Sequence, residues 1–186
     1  MKKFLLQFVE ALLKILARWT IKKYDPGIIG VTGSVGKTST KEAIYTVLRN
    51  IRRVRLSRGN FNSQIGLPLT ILGDWPDAEL ELFSREYPQG RHRPKKLIFL
   101  IKVVCVSLFG CIFGKRSKYP ELLILEYGAD RPGDIKYLLE IARPKIAVVS
   151  ALEIFLRTSN STADREEWPK KKAGWWKRFP QTVLPY

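Results

Sequence analysis

A glycine-rich segment at residues 30–40 has the composition of a phosphate-binding loop. It reads GVTGSVGKTST and follows an apolar pair, Ile28 and Ile29. Glycines allow such a loop to turn tightly and to direct backbone N–H groups at an anion. The side chain of Lys37 would reach the outer phosphates of a nucleotide, and the hydroxyl of Thr38 would hold Mg²⁺. The predicted cofactor-binding residues are Gly33, Ser34, Val35, Gly36, Lys37, Thr38 and Ser39.

An ordinary glycine-rich turn between a strand and a helix is the alternative interpretation of this segment. The usual phosphate-loop pattern, G-x-x-x-x-G-K-[ST], is missed by one position, because Val31 stands where the first glycine belongs. An ordinary turn, however, has no need of Gly-Lys-Thr at the start of a helix. Apolar residues at 43, 44, 47 and 48 predict that helix, whose free N–H groups and dipole would attract an anion. We therefore favour nucleotide binding.

Polar residues elsewhere in the chain are candidates for the same site. Glu126 ends an apolar run, as carboxylates do at the active-site edge of buried parallel strands. A carboxylate in that position can bind Mg²⁺ directly or through water. Asn60 and Asn62 lie in a polar loop at 59–66, where asparagines either satisfy the backbone of a turn or contact a ligand. We predict that both contact substrate.

The elements around these residues predict an α/β fold. Strands are expected at 28–29, at 54–56, at 121–126 and at 145–150, with helices after the glycine loop, at 67–72 and at 135–141. Both strands of the unit at 121–150 are predicted to be buried. We predict a P-loop NTPase-like, mostly parallel sheet that is flanked by helices. The expected organisation is an N-terminal helix at 1–24, an ATP-binding domain at 25–152 with an insert at 74–119, and an irregular tail at 153–186.

Two apolar segments fall outside this pattern. Residues 2–23 predict an amphipathic helix in which Phe4 and Phe8 lie on a broad apolar face, so the helix either lies at a membrane interface or packs on its own domain. Residues 97–113 are apolar except for Lys102 and are shorter than the roughly 20 residues of a membrane span. Because strands before and after this run would share one sheet, we predict that it lies on the domain or dips into one leaflet.

The composition narrows the classes of function. The chain has two cysteines and one histidine, His92, so a disulfide framework, a His-ligated zinc and histidine-based catalysis are poorly supported. A reducing, cytoplasmic location is the default. The net charge of +16 suits anionic partners such as a nucleotide or acidic lipid. Nucleic acid is the weakest of these partners, because no stretch interleaves aromatic residues with Arg and Lys.

Three ordered motifs resemble those of the Mur ligase family, and of its MurF type in particular. They are GVTGSVGKTS at 30–39, GNFNSQIGLP at 59–68 and LEYGADRPGD at 125–134. The family loop, G-x-T-G-x-x-G-K-T, accounts for the displaced glycine. The resemblance covers about residues 27–152. It implies ATP phosphates on residues 33–38, Mg²⁺ on Thr38 and Glu126, and an asparagine loop beside the substrate.

The resemblance also implies a reaction, the ATP-dependent formation of an amide bond in a peptidoglycan precursor. The substrates would be a UDP-linked muropeptide, activated as an acyl phosphate, and D-alanyl-D-alanine, whose amine displaces phosphate. Lys37 and Glu126 would be catalytic, and the protein would contribute positioning and charge neutralisation. The alternative is a P-loop nucleotide-binding module on the membrane surface, without ligase activity. Residues 1–24 and 97–113 would then provide peripheral membrane contact at the inner face.

The departures from the family pattern set further expectations. Ser63 and Gln64 stand where the MurF type often has Asn and Glu, and Tyr127 replaces a usual Met. The family's UDP-sugar-binding and C-terminal domains have no counterpart in this sequence. After Leu152 the family continues with a histidine near Mg²⁺ and a lysine that becomes carbamylated, but the tail has no histidine. We expect an incomplete ATP-binding core that is inactive alone, with residues from about 153 onward out of frame.

Overall fold

The computed structural model describes residues 2–59, 61–83, 93–128 and 133–151. Helices and strands alternate along most of this part of the chain. In order, they are α1 (Lys2–Tyr24), β1 (Gly27–Thr32), α2 (Lys37–Leu48), β2 (Val54–Leu56), α3 (Gly66–Leu72), α4 (Asp77–Leu80), α5 (Arg93–Phe113), β3 (Leu122–Glu126), α6 (Asp134–Ile141) and β4 (Ile146–Val149). The predicted tail at 153–186 lies outside the described residues.

The four described strands form one parallel sheet in the order β2-β3-β1-β4. Parallel strands require crossover connections, which the helices between them supply. The register places Val31 beside Glu126, so the glycine loop after β1 and the carboxylate at the end of β3 lie at the same edge of the sheet. The predicted parallel α/β fold is confirmed.

The prediction that β4 is buried is wrong. Ile146 is 56% exposed and Val149 is 40% exposed. The reason is the position of the strand in the sheet, because β4 pairs with β1 alone among the described strands and forms one edge. A run of β-branched residues indicates a strand but does not distinguish an edge from a centre.

Helices cover the two faces of the sheet unequally. On one face α2 packs against a small cluster that contains Ile29, Val31 and Ile124. On the other face lies the main core, to which α1, α3, α5 and α6 all contribute buried side chains. The two central strands, β1 and β3, are therefore enclosed between helical layers, as their nearly continuous apolar sequences require.

The N-terminal helix packs on its own domain. Leu13, Leu16 and Ala17 of α1 are buried in the main core, which agrees with one of the two interpretations of residues 2–23. Phe4 and Trp19 nevertheless remain 77% and 56% exposed. The helix therefore buries one stripe and presents a second apolar stripe to solvent.

The long apolar helix α5 lies along the domain. In its first half Phe99 packs edge-on against Trp75, with the ring centroids 5.5 Å apart. Near its end, Lys23 Nζ donates to the carbonyls of Gly110 and Cys111 at 3.0 and 2.8 Å. A cation at the C-terminal carbonyls of a helix is favourable. These contacts fix α5 to the domain, which agrees with one of the two arrangements predicted for residues 97–113.

Candidate nucleotide-binding site

The loop between β1 and α2 depends on two glycines. Gly33 has φ 146° and Gly36 has φ 79°, both in the region that side-chain-bearing residues avoid. A Cβ atom on Gly33 would also lie 2.3 Å from Ser150 Oγ and 2.8 Å from the carbonyl oxygen of Ala151. Both backbone angle and available space therefore require glycine at residue 33.

The end of β4 holds this loop in place. The backbone N–H of Ser34 donates to the carbonyl of Ala151 at 2.7 Å. The hydroxyl of Ser150 donates to the carbonyl of Val35 at 2.5 Å. Sequence reasoning did not assign a role to Ser150. Its only local signal was a small polar residue directly after an apolar strand.

The start of α2 presents the donors that an anion needs. Gly36 precedes the helix, and no described side chain caps it by a hydrogen bond. The first N–H groups of an uncapped helix lack partners within the helix and carry the positive end of its dipole. Ser34 Oγ is buried and finds no hydrogen-bond partner among the described residues. An orphaned hydroxyl beside open N–H groups fits an oxygen-rich ligand such as phosphate.

Lys37 folds back over the loop that precedes it. Its Nζ donates to the carbonyl of Gly33 at 2.9 Å and lies 3.4 Å from the carbonyl of Ser34. The side chain is half-buried, so its charge is close to the loop but can still reach solvent. A phosphate in the loop would offer Nζ a charged acceptor in place of neutral carbonyls, and charge-assisted hydrogen bonds are the stronger kind.

Glu126 makes a buried ion pair that sequence reasoning missed. Nζ of Lys41 lies 2.9 Å from Glu126 Oε2, and the two side chains are 0% and 2% exposed. Lys41 Nζ also donates to the carbonyl of Gly59 at 2.7 Å. Lys41 lies one helical turn after Lys37, which places both cations on one face of α2. That spacing was the available sequence signal that Lys41 belongs to the same site.

Asn62 completes the environment of the carboxylate. Its Nδ2 donates to Glu126 Oε1 at 2.9 Å, and its backbone carbonyl accepts from the N–H of Gly128 at 3.0 Å. Ser57 Oγ accepts from the backbone N–H of Glu126 at 3.2 Å. The structure therefore brings Asn62 to Glu126, a contact that the sequence analysis did not predict. The second asparagine, Asn60, lies outside the described residues.

The donors present fit a magnesium ion that also binds phosphate oxygens. Glu126 Oε2 accepts no hydrogen bond of good geometry from any described residue, despite its proximity to Lys41, so it keeps acceptor capacity. Thr38 lies exposed in the first turn of α2, and no hydrogen bond joins it to Glu126. The described residues contain no group of three or more His, Cys, Asp or Glu side chains that could hold a metal by themselves. Mg²⁺ typically uses one or two protein ligands together with phosphates and water.

Residues 31–96 match the family model of the Mur ligase middle domain. Over these residues the chain is similar to the middle domain of the Mur ligases. The match includes the glycine loop, Lys37, Lys41 and Asn62, whereas Glu126 lies beyond it. The position of Glu126 beside the glycine loop is established by the sheet register and by its contacts with Lys41 and Asn62.

Curated proteins similar to this chain include ligases of one named activity. The UDP-N-acetylmuramoyl-tripeptide–D-alanyl-D-alanine ligase of Bacillus subtilis (strain 168) is 50% identical over 72 residues, which are 39% of this chain and 16% of that protein. The ligase of the same name from Mycobacterium leprae (strain TN) is 31% identical over 122 residues, 66% of this chain and 16% of that protein. This chain thus spans about a sixth of the length of these relatives.

A solved structure of the same kind is also similar. The MurF ligase from Thermotoga maritima, crystallised in complex with ADP, is 34% identical and aligns with a TM-score of 0.49. The alignment covers 76% of this chain and 23% of that one.

Proposed function

We propose that this chain is the ATP-binding core of a MurF-like ligase that forms an amide bond in a peptidoglycan precursor. The observation that carries the proposal is the loop at residues 33–38, with its two glycines at positive φ, its uncapped helix start and Lys37. Such a loop fits the phosphates of a nucleotide, with residues 33–39 as the cofactor site. The names of the relatives supply the reaction class.

The roles of the catalytic residues follow from charge and position. ATP would supply the phosphoryl group that activates a substrate carboxylate as an acyl phosphate, and the incoming amine would then release phosphate. Lys37 would leave the loop carbonyls and neutralise charge on the outer phosphates, which is how fixed cations assist phosphoryl transfer. Thr38 and Glu126 would hold Mg²⁺, with the carboxylate oriented by Asn62 and Lys41.

The substrates proposed for this chain are a UDP-linked muramoyl tripeptide and D-alanyl-D-alanine, as in the names of the relatives. Asn60 and Asn62 would border the substrate as well as the nucleotide. We further propose that residues 25–152 form the ATP-binding domain, with 74–119 as an insert and 1–24 as an attached helix. The activity would be cytoplasmic, with peripheral contact to the inner face of the membrane through residues 1–24 and 97–113.

A second candidate function is a nucleotide-binding module at the membrane surface that does not ligate. The outward face of α5, which is apolar and largely uncovered, favours it. Equilibrium binding of ATP and ADP in the presence of Mg²⁺ tests the site that both candidates share. Phosphate release that requires both the muramoyl tripeptide and D-alanyl-D-alanine would support the ligase. Binding without such release is expected both of an incomplete ligase core and of the module. Recruitment to liposomes that responds to nucleotide would favour the module, and a folded chain that binds neither nucleotide would overturn both.

A further inference from the structure

The helix α5 is apolar enough for a membrane, yet the protein covers little of it. Within the described residues it is the one helix long and apolar enough to cross a bilayer. The candidate span is Pro94–Phe113, and within it an 18-residue window has a mean hydropathy of 2.3 and is only 17% buried. A core helix of a soluble protein would be covered by its own domain. An exposed apolar patch of this length marks an interaction surface.

The exposed residues of α5 form one continuous face. Leu97, Ile98, Ile101, Phe109 and Ile112 are each more than half exposed. At 3.6 residues per turn they lie within an arc of about 120°, roughly opposite the buried side chains of Phe99 and Val103. Lys102 borders this arc, and its Nζ is held at its edge by Glu79 at 2.7 Å. The face itself therefore presents no charge along about four turns.

The surroundings of this face are basic. Residues 93–118 contain seven Lys or Arg and no Asp or Glu. Lys95 precedes the exposed face and Lys115 and Lys118 follow it, and all three are exposed. An apolar stripe with cations at both ends is the pattern of a helix that lies in the interface of an anionic bilayer, where lysines reach the headgroups.

The geometry of the domain excludes a single crossing. Tyr24, at the end of α1, stacks on Tyr119, just after α5, with ring centroids 4.3 Å apart. The strands that follow these two residues, β1 and β3, are neighbours in one sheet. Since α5 is also anchored through Phe99 to Trp75, both of its ends belong to the same side of any bilayer. The helix can lie in the plane of a membrane surface but cannot pass through it once.

We propose that the outward face of α5 is a docking surface for an anionic lipid bilayer, in which the helix lies parallel to the membrane plane. This deepens the peripheral location proposed above but needs no nucleotide, so either proposal can fail alone. A second copy of this chain is a poorer occupant, because pairing two such faces would bring basic residues against basic residues. Phe4, Phe8 and Trp19 of α1, all exposed, would add to the contact where they reach the same surface.

Sedimentation of the full chain with vesicles tests the proposal. We expect at least about tenfold stronger partitioning onto vesicles with about 30% phosphatidylglycerol than onto phosphatidylcholine alone, and weaker partitioning at about 1 M salt, because screening removes the headgroup attraction. Alkaline carbonate should release the bound chain. Resistance to carbonate, or failure of the folded chain to bind anionic vesicles, would overturn the proposal.

A matched pair of double variants locates the surface. Ile98→Glu/Phe109→Glu places two charges on the outward face of α5 and should lower partitioning at least about tenfold. Val47→Glu/Ile51→Glu makes the same change at two residues that are each 70% exposed on and just after α2, and should partition like the parent chain. An equal loss of vesicle partitioning in both double variants would contradict the assignment of the surface to α5. A lipid-free dimer that only the α5 variant abolishes would show that a second copy is the occupant.

Cys105 provides a measure of depth. It is exposed, whereas Cys111 is partly buried and contacts Thr20, so Cys111→Ser leaves one accessible thiol among the described residues. An environment-sensitive fluorophore on Cys105 should shift its emission to the blue on anionic vesicles. No shift while the chain sediments with the vesicles would mean that another surface binds lipid.

Discussion

Lys41 and Glu126 form an ion pair from which solvent is almost completely excluded, with Nζ 2.9 Å from Oε2. Removing two charges from water is costly, and the pair is sustained by the additional hydrogen bonds from Lys41 to Gly59 and from Asn62 to Glu126. The pair joins α2 to the end of β3 and to the loop that carries the asparagines. The phosphate loop and the proposed magnesium ligand are thereby held at a fixed separation.

Removal of the lysine charge should destabilise the fold strongly. Lys41→Met leaves a carboxylate buried without its partner, and we expect the free energy of unfolding to fall by about 3 to 5 kcal/mol in urea titrations. Lys14→Met is the matched control, because the Lys14–Glu140 pair has a similar distance of 2.8 Å but is exposed, and it should cost about 1 kcal/mol or less. Adding Glu126→Leu to Lys41→Met should restore part of the loss. A Lys41→Met chain as stable as the control would contradict the importance of burial.

Replacement of the loop lysine should affect binding and leave the fold unchanged. Among the described residues Lys37 donates only to carbonyls of its own loop, so Lys37→Ala removes the proposed contact to phosphate and little else. We expect ATP affinity to fall about 10- to 100-fold, the value of a hydrogen bond to a charged group, by isothermal titration calorimetry. Lys22→Ala makes the same change of charge at an exposed residue of α1 and should bind ATP normally. Equal affinities in the two variants would refute the assignment of the site.

The proposed role of Glu126 as a metal ligand can be separated from its structural role. Glu126→Gln keeps the size of the side chain but weakens a magnesium ligand, so the increase in ATP affinity on addition of Mg²⁺ should shrink. The ratio of affinities with and without Mg²⁺ is the measurement, since a purely structural effect would change both equally. Glu121→Gln, at an exposed ion pair with Arg53, is the control and should keep the parent ratio. An unchanged ratio in Glu126→Gln would mean that Mg²⁺ binds elsewhere.

Alkaline pH should destabilise the protein through a buried tyrosine. The pKa of Tyr119 is raised to about 12, mainly because the side chain is buried. Its hydroxyl donates to the carbonyl of Ile71 at 2.6 Å. The folded chain thus holds this proton more tightly than the unfolded chain. The contribution of Tyr119 to the free energy of unfolding is complete below pH 10. It is lost as the pH rises towards 12, and the loss amounts to about 2 to 3 kcal/mol.

Comparison with Tyr119→Phe isolates this contribution. The variant loses one hydrogen bond at every pH, but its unfolding free energy should fall less steeply between pH 10 and 12 than that of the parent chain. Urea titrations across that interval provide the measurement. Parallel pH profiles of the unfolding free energy for the two chains would show that the pKa of Tyr119 does not change on unfolding.

The parts of this protein that were predictable from its sequence are those with local signals. Glycines followed by Lys37 and Thr38 predicted a loop at a helix start. Apolar runs with helical or alternating spacing predicted the four described strands and the helices other than α4. Glu126 was recognisable because it ends such a run. These features depend on residues within a few positions of one another, where backbone preferences and side-chain periodicity act directly.

Other features were decided by tertiary contacts between distant segments. Lys41 resembles any surface lysine of an amphipathic helix, and only the packing of α2 against β3 reveals that it is buried against Glu126. Ser150 holds a loop that lies more than 100 residues earlier, and β4 is exposed because the strand order places it at an edge. The sequence determined which elements form and which groups could bind a nucleotide. The tertiary structure alone determined burial and ion pairing, because both depend on which elements meet, and local periodicity carries no information about that.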